Sequence, residues 1–290
     1  MRVAESLKLY YEVTKPRVWY LLAFTAFGGF MAASTPPINW LRALHTVAAV
    51  SLAAAGSETL ANYLERGLDA EMERTRRRPL PSGRLKPPRN ALIYGFILTV
   101  SGVLLSAFLN LLALTFILIG VLDYLVVYVM LSKRRTPLNV ILGSAAGGAP
   151  ALVGYTSAAG ILTPEAWILA AIVVLWIPSH IWSLALRYRE DYQRAGVPML
   201  PVVLDEEKAI RCISSTAILL TAFSIAVYFL NIVKYGLLYL SVVTVTGGIL
   251  LYLSLLLMIR PSKKVAWILF KFTSPHLAAI FTAIILETLF

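Results

Sequence analysis

The residues best suited to chemistry in this sequence lie at the end of its second long apolar stretch. Glu58, Asn62, Glu65 and Asp69 follow one another at helical intervals. At about 100° per residue this spacing places all four on one helix face. Acids crowded in this way repel one another unless cations lie among them, and oxygen ligands of this kind suit Mg²⁺ with substrate phosphates. A solvated helix end is the alternative interpretation.

A run of basic residues follows these acids directly. It extends from Arg74 to Arg84 and reads Arg-Thr-Arg-Arg-Arg-Pro-Leu-Pro-Ser-Gly-Arg. Guanidinium groups bind phosphate oxygens through two parallel hydrogen bonds. Acids followed by arginines therefore indicate a site for a metal and a diphosphate, although part of this charge is also expected of any cytoplasmic loop.

A second polar group lies at the end of the sixth apolar stretch. His180, Leu184, Arg187 and Asp191 share one helix face, and Trp176 lies on the same side. Asp191 can supply a further carboxylate to a metal. His180 lies about 10 Å inside the helix end, where the alternatives are contact with a planar aromatic ligand and a hydrogen bond to a neighbouring helix.

The elements that position these residues are long and apolar. The chain has 290 residues, of which 59% are hydrophobic and 14% charged, with a mean hydropathy of +0.76. Soluble domains are about half apolar and a quarter charged, so a soluble enzyme, a disordered segment and a nucleic-acid-binding domain are excluded. Runs of the roughly 20 apolar residues that span a bilayer occur at 17–34, 40–64, 90–108, 111–131, 139–159, 165–187, 209–231, 235–259 and 265–289.

The basic residues predict how these runs are oriented. Of the 26 Lys and Arg residues, 23 fall in the N-terminal segment or in the loops after the second, fourth, sixth and eighth runs. Arg42 and Lys234 lie on the other side, and Lys271 lies within the ninth run. Because cytoplasmic loops are rich in Lys and Arg, we expect a multi-pass protein of the cell membrane with its N-terminus in the cytoplasm and its C-terminus outside.

The predicted fold is all-α. We expect one domain over residues 1–290, a bundle of nine transmembrane helices with a central cavity open to the cytoplasmic side. Loops 65–90 and 187–211 are expected to form a cap over the opening. The small residues of the fifth run allow close helix packing and also leave room for a bulky ligand, while Asp123 is expected either to bond a tyrosine or to line the cavity.

Several segments resemble the UbiA superfamily of intramembrane prenyltransferases. Asn62 to Thr75 with Arg78 to Gly83 resembles its first acidic motif, and the resemblance extends over about residues 14–205. The other segments follow in the family's order: Thr14 to Arg17, Lys133 to Tyr155, Trp176 to Trp182 and Asp191 to Val203.

Within the superfamily, the sequence is similar to the protohaem IX farnesyltransferases, or haem O synthases. Quinone-forming and lipid-forming members usually have aspartate where His180 stands. The sequence also departs from the family, with Glu65 in place of an aspartate and Ala61 in place of a polar residue.

The resemblance implies transfer of a farnesyl group from farnesyl diphosphate to a vinyl group of haem b, giving haem O and pyrophosphate. Mg²⁺ is the implied cofactor, and its implied ligands are Asn62, Glu65, Asp69 and Asp191. The implied diphosphate ligands are Arg17, Arg74, Arg78 and Lys133, with Asp69, Glu65 and Lys133 as catalytic residues. The implied haem contacts are His180, Trp176, Trp182 and Arg187.

The implied partners are the two substrates and the lipid bilayer, with a haem A synthase or an oxidase assembly protein as a further one and no nucleic acid. A related enzyme with a quinone precursor or a glycerol-phosphate lipid as acceptor is the first alternative. A transporter is the second, but transporters place broken helices near the membrane midplane, whereas these charges collect at one membrane face.

Overall fold

The computed structural model describes residues 3–230 and 235–290, and the regular structure in these ranges is helical throughout. The helices are α1 (Val3–Val13), α2 (Pro16–Ala32), α3 (Trp40–Leu64), α4 (Arg66–Glu71), α5 (Pro88–Ala107), α6 (Leu111–Leu122), α7 (Asn139–Leu142), α8 (Ala145–Ala159), α9 (Pro164–Arg187), α10 (Arg189–Arg194), α11 (Leu200–Val203), α12 (Glu206–Phe229), α13 (Leu237–Ile259) and α14 (Lys263–Leu289). The α6 helix continues as a π-helix over Asp123–Ser132. The predicted all-α class is confirmed.

Each predicted apolar run is mainly helical where the structure describes it. Among the described residues, six helices are long and apolar enough to cross a membrane by themselves: Pro88–Ala107, Leu111–Ser132, Pro164–Arg187, Glu206–Phe229, Leu237–Ile259 and Lys263–Leu289. The chain is therefore a multi-pass membrane protein. The count of nine crossings stays a prediction, and Lys234 lies outside the described residues.

Small residues bring the helix backbones close together. A Cβ added at Gly154 of α8 would lie 1.9 Å from the Ala26 carbonyl oxygen of α2, and one added at Gly29 would lie 2.3 Å from that of Ala151. Only glycine permits this approach, which confirms the packing interpretation for Gly154. Other small residues of the same run, Gly147 among them, line a cavity instead.

The α5–α6 hairpin is fixed by Asn110. Its Oδ1 accepts a hydrogen bond of 2.8 Å from the Ala113 amide and so caps α6, while its Nδ2 donates to the Thr156 carbonyl at 2.7 Å. Arg42 reaches the same end of the bundle, where its guanidinium donates to the carbonyls of Ser157 and Leu109.

The long polar loops lie at the opposite end of the bundle. Arg84 in the loop after α4 pairs with Glu12 of α1 at 2.9 Å, and Lys263 at the start of α14 pairs with Glu190 of α10 at 2.6 Å. The Arg74 amide donates to Asp191 Oδ2 at 3.1 Å and joins these two groups, so the N-terminal helix and the loops after the second, sixth and eighth runs meet at one end, as the charge pattern predicts.

Candidate active site

A cavity of about 380 Å³ lies between α2, α3, α6, α8, α9 and α14. This volume falls within the range of about 300–1,000 Å³ that is usual for small-molecule sites. Its wall along α3 runs from Glu65 to Val50, a length of about 20 Å at the rise of an α-helix. The charged residues that line it are Lys15, Arg17, Glu58, Glu65, Asp69, Arg74, Arg78 and Lys133.

The deeper wall of this cavity is apolar. Leu21, Val50, Phe116, Val153 and Val173 come from five different helices and line it. A molecule with an ionic head and a hydrocarbon tail matches such a division of charged and apolar surface.

The predicted acidic face crosses a break between two helices. α3 ends at Leu64 and α4 begins at Arg66, with Glu65 between them. The Glu65 amide still donates to the Ala61 carbonyl at 2.9 Å, and the Asp69 amide donates to the Glu65 carbonyl at 2.8 Å. Because these bonds continue the helical pattern, Glu65 and Asp69 both reach the cavity.

Both of these carboxylates are bound by basic side chains. Lys133 Nζ donates to Glu65 Oε1, and Arg78 Nη1 donates to Asp69 Oδ1 at 3.1 Å and Oδ2 at 2.9 Å. Burial by itself would lower the pKa of the Lys133 ammonium, but the neighbouring Glu65 carboxylate raises that pKa above the ordinary lysine value. The acids and the predicted phosphate ligands therefore occupy one site.

The other two predicted metal ligands lie beside the cavity lining. Asn62 Nδ2 donates to the Val13 carbonyl at 2.6 Å, and its buried Oδ1 has no hydrogen-bond partner among the described residues. Asp191 Oδ2 accepts from the Arg74 amide at 3.1 Å, which joins α10 to the loop after α4.

In residues 3–230 and 235–290, no three His, Cys, Asp or Glu side chains lie close enough to hold a metal ion. Glu65 and Asp69 are bound to Lys133 and Arg78 instead. The role of the four predicted metal ligands stays a prediction.

All four predicted diphosphate ligands line the cavity. Arg17 is exposed at its edge, while Arg74 is held by the Tyr192 hydroxyl at 3.3 Å and lies over the Tyr188 ring at 5.4 Å. The Arg74 Nε is buried and has no partner among the described residues. This donor is therefore available to an anion.

His180 lines the cavity from α9, where both faces of its ring are covered. Trp176 stacks on it at 4.3 Å between centroids and Phe270 at 4.4 Å, and its Nδ1 is 2.6 Å from Thr273 Oγ1. A flat ligand cannot stack on this imidazole and must approach its edge. The hydrogen bond to a neighbouring helix, left open by the sequence, is present.

Two predicted acceptor contacts, Trp182 and Arg187, lie away from this cavity. Trp182 is two residues beyond His180, about 200° around the helix, and its side chain is buried in the core. Arg187 shares the face of His180 but lies at the end of α9, where it is exposed over the Tyr188 ring. The roles of both in acceptor binding stay predictions.

Other residues were missed or misplaced by the sequence analysis. Lys15, with φ of 51°, holds a left-handed conformation unusual for a non-glycine residue and turns into the cavity just before Pro16. The Thr-Lys-Pro-Arg segment is the sequence feature that could have indicated this residue.

The Asp123 carboxylate was expected elsewhere. It accepts a hydrogen bond of 2.8 Å from the Ala146 amide, so it neither bonds a tyrosine nor lines the cavity.

The fold and the site are those of a multi-pass helical membrane protein with a cavity that is charged at one end and apolar in its deeper part. The UbiA prenyltransferase family model matches residues 21–281, and the chain belongs to that family. It is 42% identical to the protoheme IX farnesyltransferase of Desulforudis audaxviator over 98% of this chain and 89% of that protein. It is 39% identical to the protoheme IX farnesyltransferase of Thermoplasma volcanium over 98% of this chain and 99% of that protein.

Solved structures show the same fold. A structure of digeranylgeranylglyceryl phosphate synthase superposes with a TM-score of 0.78 at 24% identity, covering 98% of this chain and 99% of the other. A UbiA homolog from Archaeoglobus fulgidus bound to DMAPP and Mg²⁺ superposes with a TM-score of 0.71 at 17% identity, covering 95% and 98%. The protein is a multi-pass membrane prenyltransferase.

Proposed function

We propose that this protein transfers a farnesyl group from farnesyl diphosphate to a vinyl group of haem b, forming haem O and pyrophosphate. The observation that carries the proposal is the cavity, where the four predicted diphosphate ligands lie at one end and apolar side chains from five helices line the deeper part. The relatives named protoheme IX farnesyltransferase support this donor and this acceptor.

Departure of the diphosphate is the step that the charged residues assist. Arg17, Arg74, Arg78 and Lys133 bind its oxygens, where negative charge grows as the carbon–oxygen bond breaks. Preorganised cations in a site shielded from water stabilise such charge most strongly in the transition state. The carboxylates of Glu65 and Asp69 bind Lys133 and Arg78 and so hold these two cations in the site before the diphosphate arrives.

The oxygen ligands near this end fit Mg²⁺. Asn62 Oδ1 is a buried acceptor without a partner among the described residues, and it lies on the helix face of the two acids. Asn62, Glu65, Asp69 and Asp191 would hold the ion, which would supply further positive charge to the leaving diphosphate. Similar metal dependence is supported by the Archaeoglobus homolog that was solved with Mg²⁺.

The acceptor lies against α9. The edge of His180 orients or ligates the haem, and Trp176 holds the imidazole in place from one side. The vinyl group then meets the first carbon of the farnesyl chain, while the tail extends along the apolar wall.

The opening of the cavity faces the cytoplasm in this proposal, because the loops at the charged end carry most of the Lys and Arg residues. The bond between Arg74 and Asp191 supports the predicted cap, since it joins loop 65–90 to loop 187–211. Residues 1–290 form one domain in this proposal.

The test uses the full chain in liposomes with Mg²⁺, farnesyl diphosphate and haem b, with products identified by mass. Wild-type protein is expected to form farnesylated, hydrated haem, and Asp69→Asn is expected to lose at least 100-fold in rate. Glu73→Gln is the matched control, because Glu73 is exposed and pairs with Arg76 outside the cavity. Folded wild-type protein that forms no farnesylated haem would contradict the proposal.

A further inference from the structure

We propose that Glu58, with Ser57 beside it, binds and deprotonates the water molecule that completes the reaction. This inference rests on the proposed function, because that reaction consumes one water for each farnesyl group. Neither residue belongs to the diphosphate site. Both line the cavity from α3.

The Glu58 carboxylate is placed deep in the cavity wall. Only 8% of its side chain is exposed, and its Oε2 accepts hydrogen bonds of 2.8 Å from both Lys15 Nζ and Tyr124 Oη. A buried carboxylate is costly unless it is paired and hydrogen-bonded, and these two donors compensate its charge. Because both fall on Oε2, the other oxygen, Oε1, remains to accept a proton from water.

Ser57 supplies an independent observation. Its Oγ is buried and has no hydrogen-bond partner among the residues that the structure describes. Buried polar atoms are nearly always satisfied by protein or by water, and a water held at such a site needs at least two polar partners. Ser57 Oγ and Glu58 Oε1, on adjacent residues of the cavity wall, supply two.

The depth of Glu58 suits this step. It lies seven residues before Glu65 on α3, or about 10 Å along the helix axis. The diphosphate and the first farnesyl carbon would lie along that separation, between the acids at the charged end and Glu58. His180 lies at a similar depth in α9, seven residues before Arg187 at the end of that helix.

The chemistry balances as follows. The bond between the first farnesyl carbon and the diphosphate oxygen breaks, and its electron pair leaves with the diphosphate. The vinyl π electrons form the new carbon–carbon bond, which leaves positive charge on the vinyl carbon attached to the porphyrin. A lone pair of water bonds to that carbon, and one water proton passes to Glu58 Oε1.

Without this base and its water, the same cation loses a proton from the neighbouring carbon instead. The product is then an alkene that is lighter than the hydrated product by one water. The ratio of the two products therefore reports on water delivery, whereas pyrophosphate release reports on the earlier step.

The experiment measures both products by mass and pyrophosphate by its release, with the full chain, haem b and farnesyl diphosphate in ordinary and ¹⁸O-labelled water. Wild-type protein is expected to give hydrated product that carries the label. Glu58→Gln is expected to lower the ratio of hydrated product to alkene at least tenfold while pyrophosphate is still released, and Glu58→Asp is expected to restore part of it. A merely structural carboxylate would change stability and total rate but not this ratio.

Ser57→Ala provides a second variant if Glu58→Gln does not fold, since it removes only one hydroxyl from the helix. Its ratio is expected to fall as well. Wild-type ratios in both variants, or in Ser57→Ala alone when Glu58→Gln is unfolded, would overturn the assignment and leave the proposed function intact. Absence of any farnesylated haem with the wild-type protein would instead overturn the proposed function and this inference with it.

Discussion

Replacing Lys133 with methionine tests how the acids and the basic residues share the active site. The variant keeps the length of the side chain but leaves the Glu65 carboxylate, which is 7% exposed, without its ammonium partner. Removing one member of a buried ion pair costs about 3–5 kcal/mol. Because the Lys133 side chain is 14% exposed, we expect a loss near the lower limit, about 3 kcal/mol.

The same variant removes a cation from the leaving diphosphate. Loss of one preorganised group that stabilises transition-state charge lowers the rate about 10²–10³-fold. The double variant Glu65→Gln with Lys133→Met no longer buries an unpaired charge, so it should regain most of the lost stability while its activity stays low. The comparison would then show the contribution of Lys133 to stability separately from its contribution to the rate.

The assay combines unfolding in detergent with farnesyl transfer in liposomes. Lys208→Met is the matched control, because Lys208 pairs with Asp205 at 2.9 Å on the surface, where such pairs contribute about 0–1 kcal/mol. The reasoning would be refuted if Lys133→Met kept wild-type stability and more than a tenth of the activity. It would also be refuted if the double variant recovered activity.

Three further predictions follow from the same structure. Gly154→Ala should lower the thermal unfolding midpoint, because the added Cβ would lie 1.9 Å from the Ala26 carbonyl oxygen and such overpacking costs about 1–3 kcal/mol or more. Gly248→Ala places its Cβ in open space and should leave the midpoint unchanged. Because the pKa of Lys133 is raised in the folded protein, the stabilisation by its ion pair is complete below the unfolded lysine pKa of about 10.4 and is lost as pH rises further. The difference in unfolding free energy between wild type and Lys133→Met should therefore stay constant from about pH 6 to 10. A decline of this difference already near neutral pH would contradict the prediction. His180→Phe keeps an aromatic ring but removes both nitrogens, so the KM for haem should rise at least tenfold with the KM for farnesyl diphosphate unchanged, and equal effects on both would speak against an acceptor role.

The helices and the charged end of the cavity were predictable because they depend on local patterns. Long apolar runs leave the backbone no partner in lipid except itself, so each run forms a helix. The spacing of Glu65 and Asp69 survives the break after Leu64 because the helical hydrogen bonds continue across it. The cavity lining therefore contains both acids, as the spacing predicts.

The partners of the site residues were not predictable, because they come from distant parts of the chain. Nothing in the local sequence pairs Glu65 with Lys133, 68 residues later. The sequence also does not show that Trp182 lies outside the cavity lining, because two residues along a helix point to nearly opposite sides and His180 already faces the cavity. Lys15 was missed because its left-handed backbone, which turns it into the cavity, has no distinct signature in composition.

The measurement that tests the central claim most directly is a competition among acceptors. Wild-type protein in liposomes would receive farnesyl diphosphate and Mg²⁺ together with haem b, 4-hydroxybenzoate and a geranylgeranylglyceryl phosphate acceptor, and all products would be identified by mass. We expect farnesylated haem as the main product, absent with Asp69→Asn. Prenylation of either other acceptor without modified haem would contradict the assignment of haem as the acceptor.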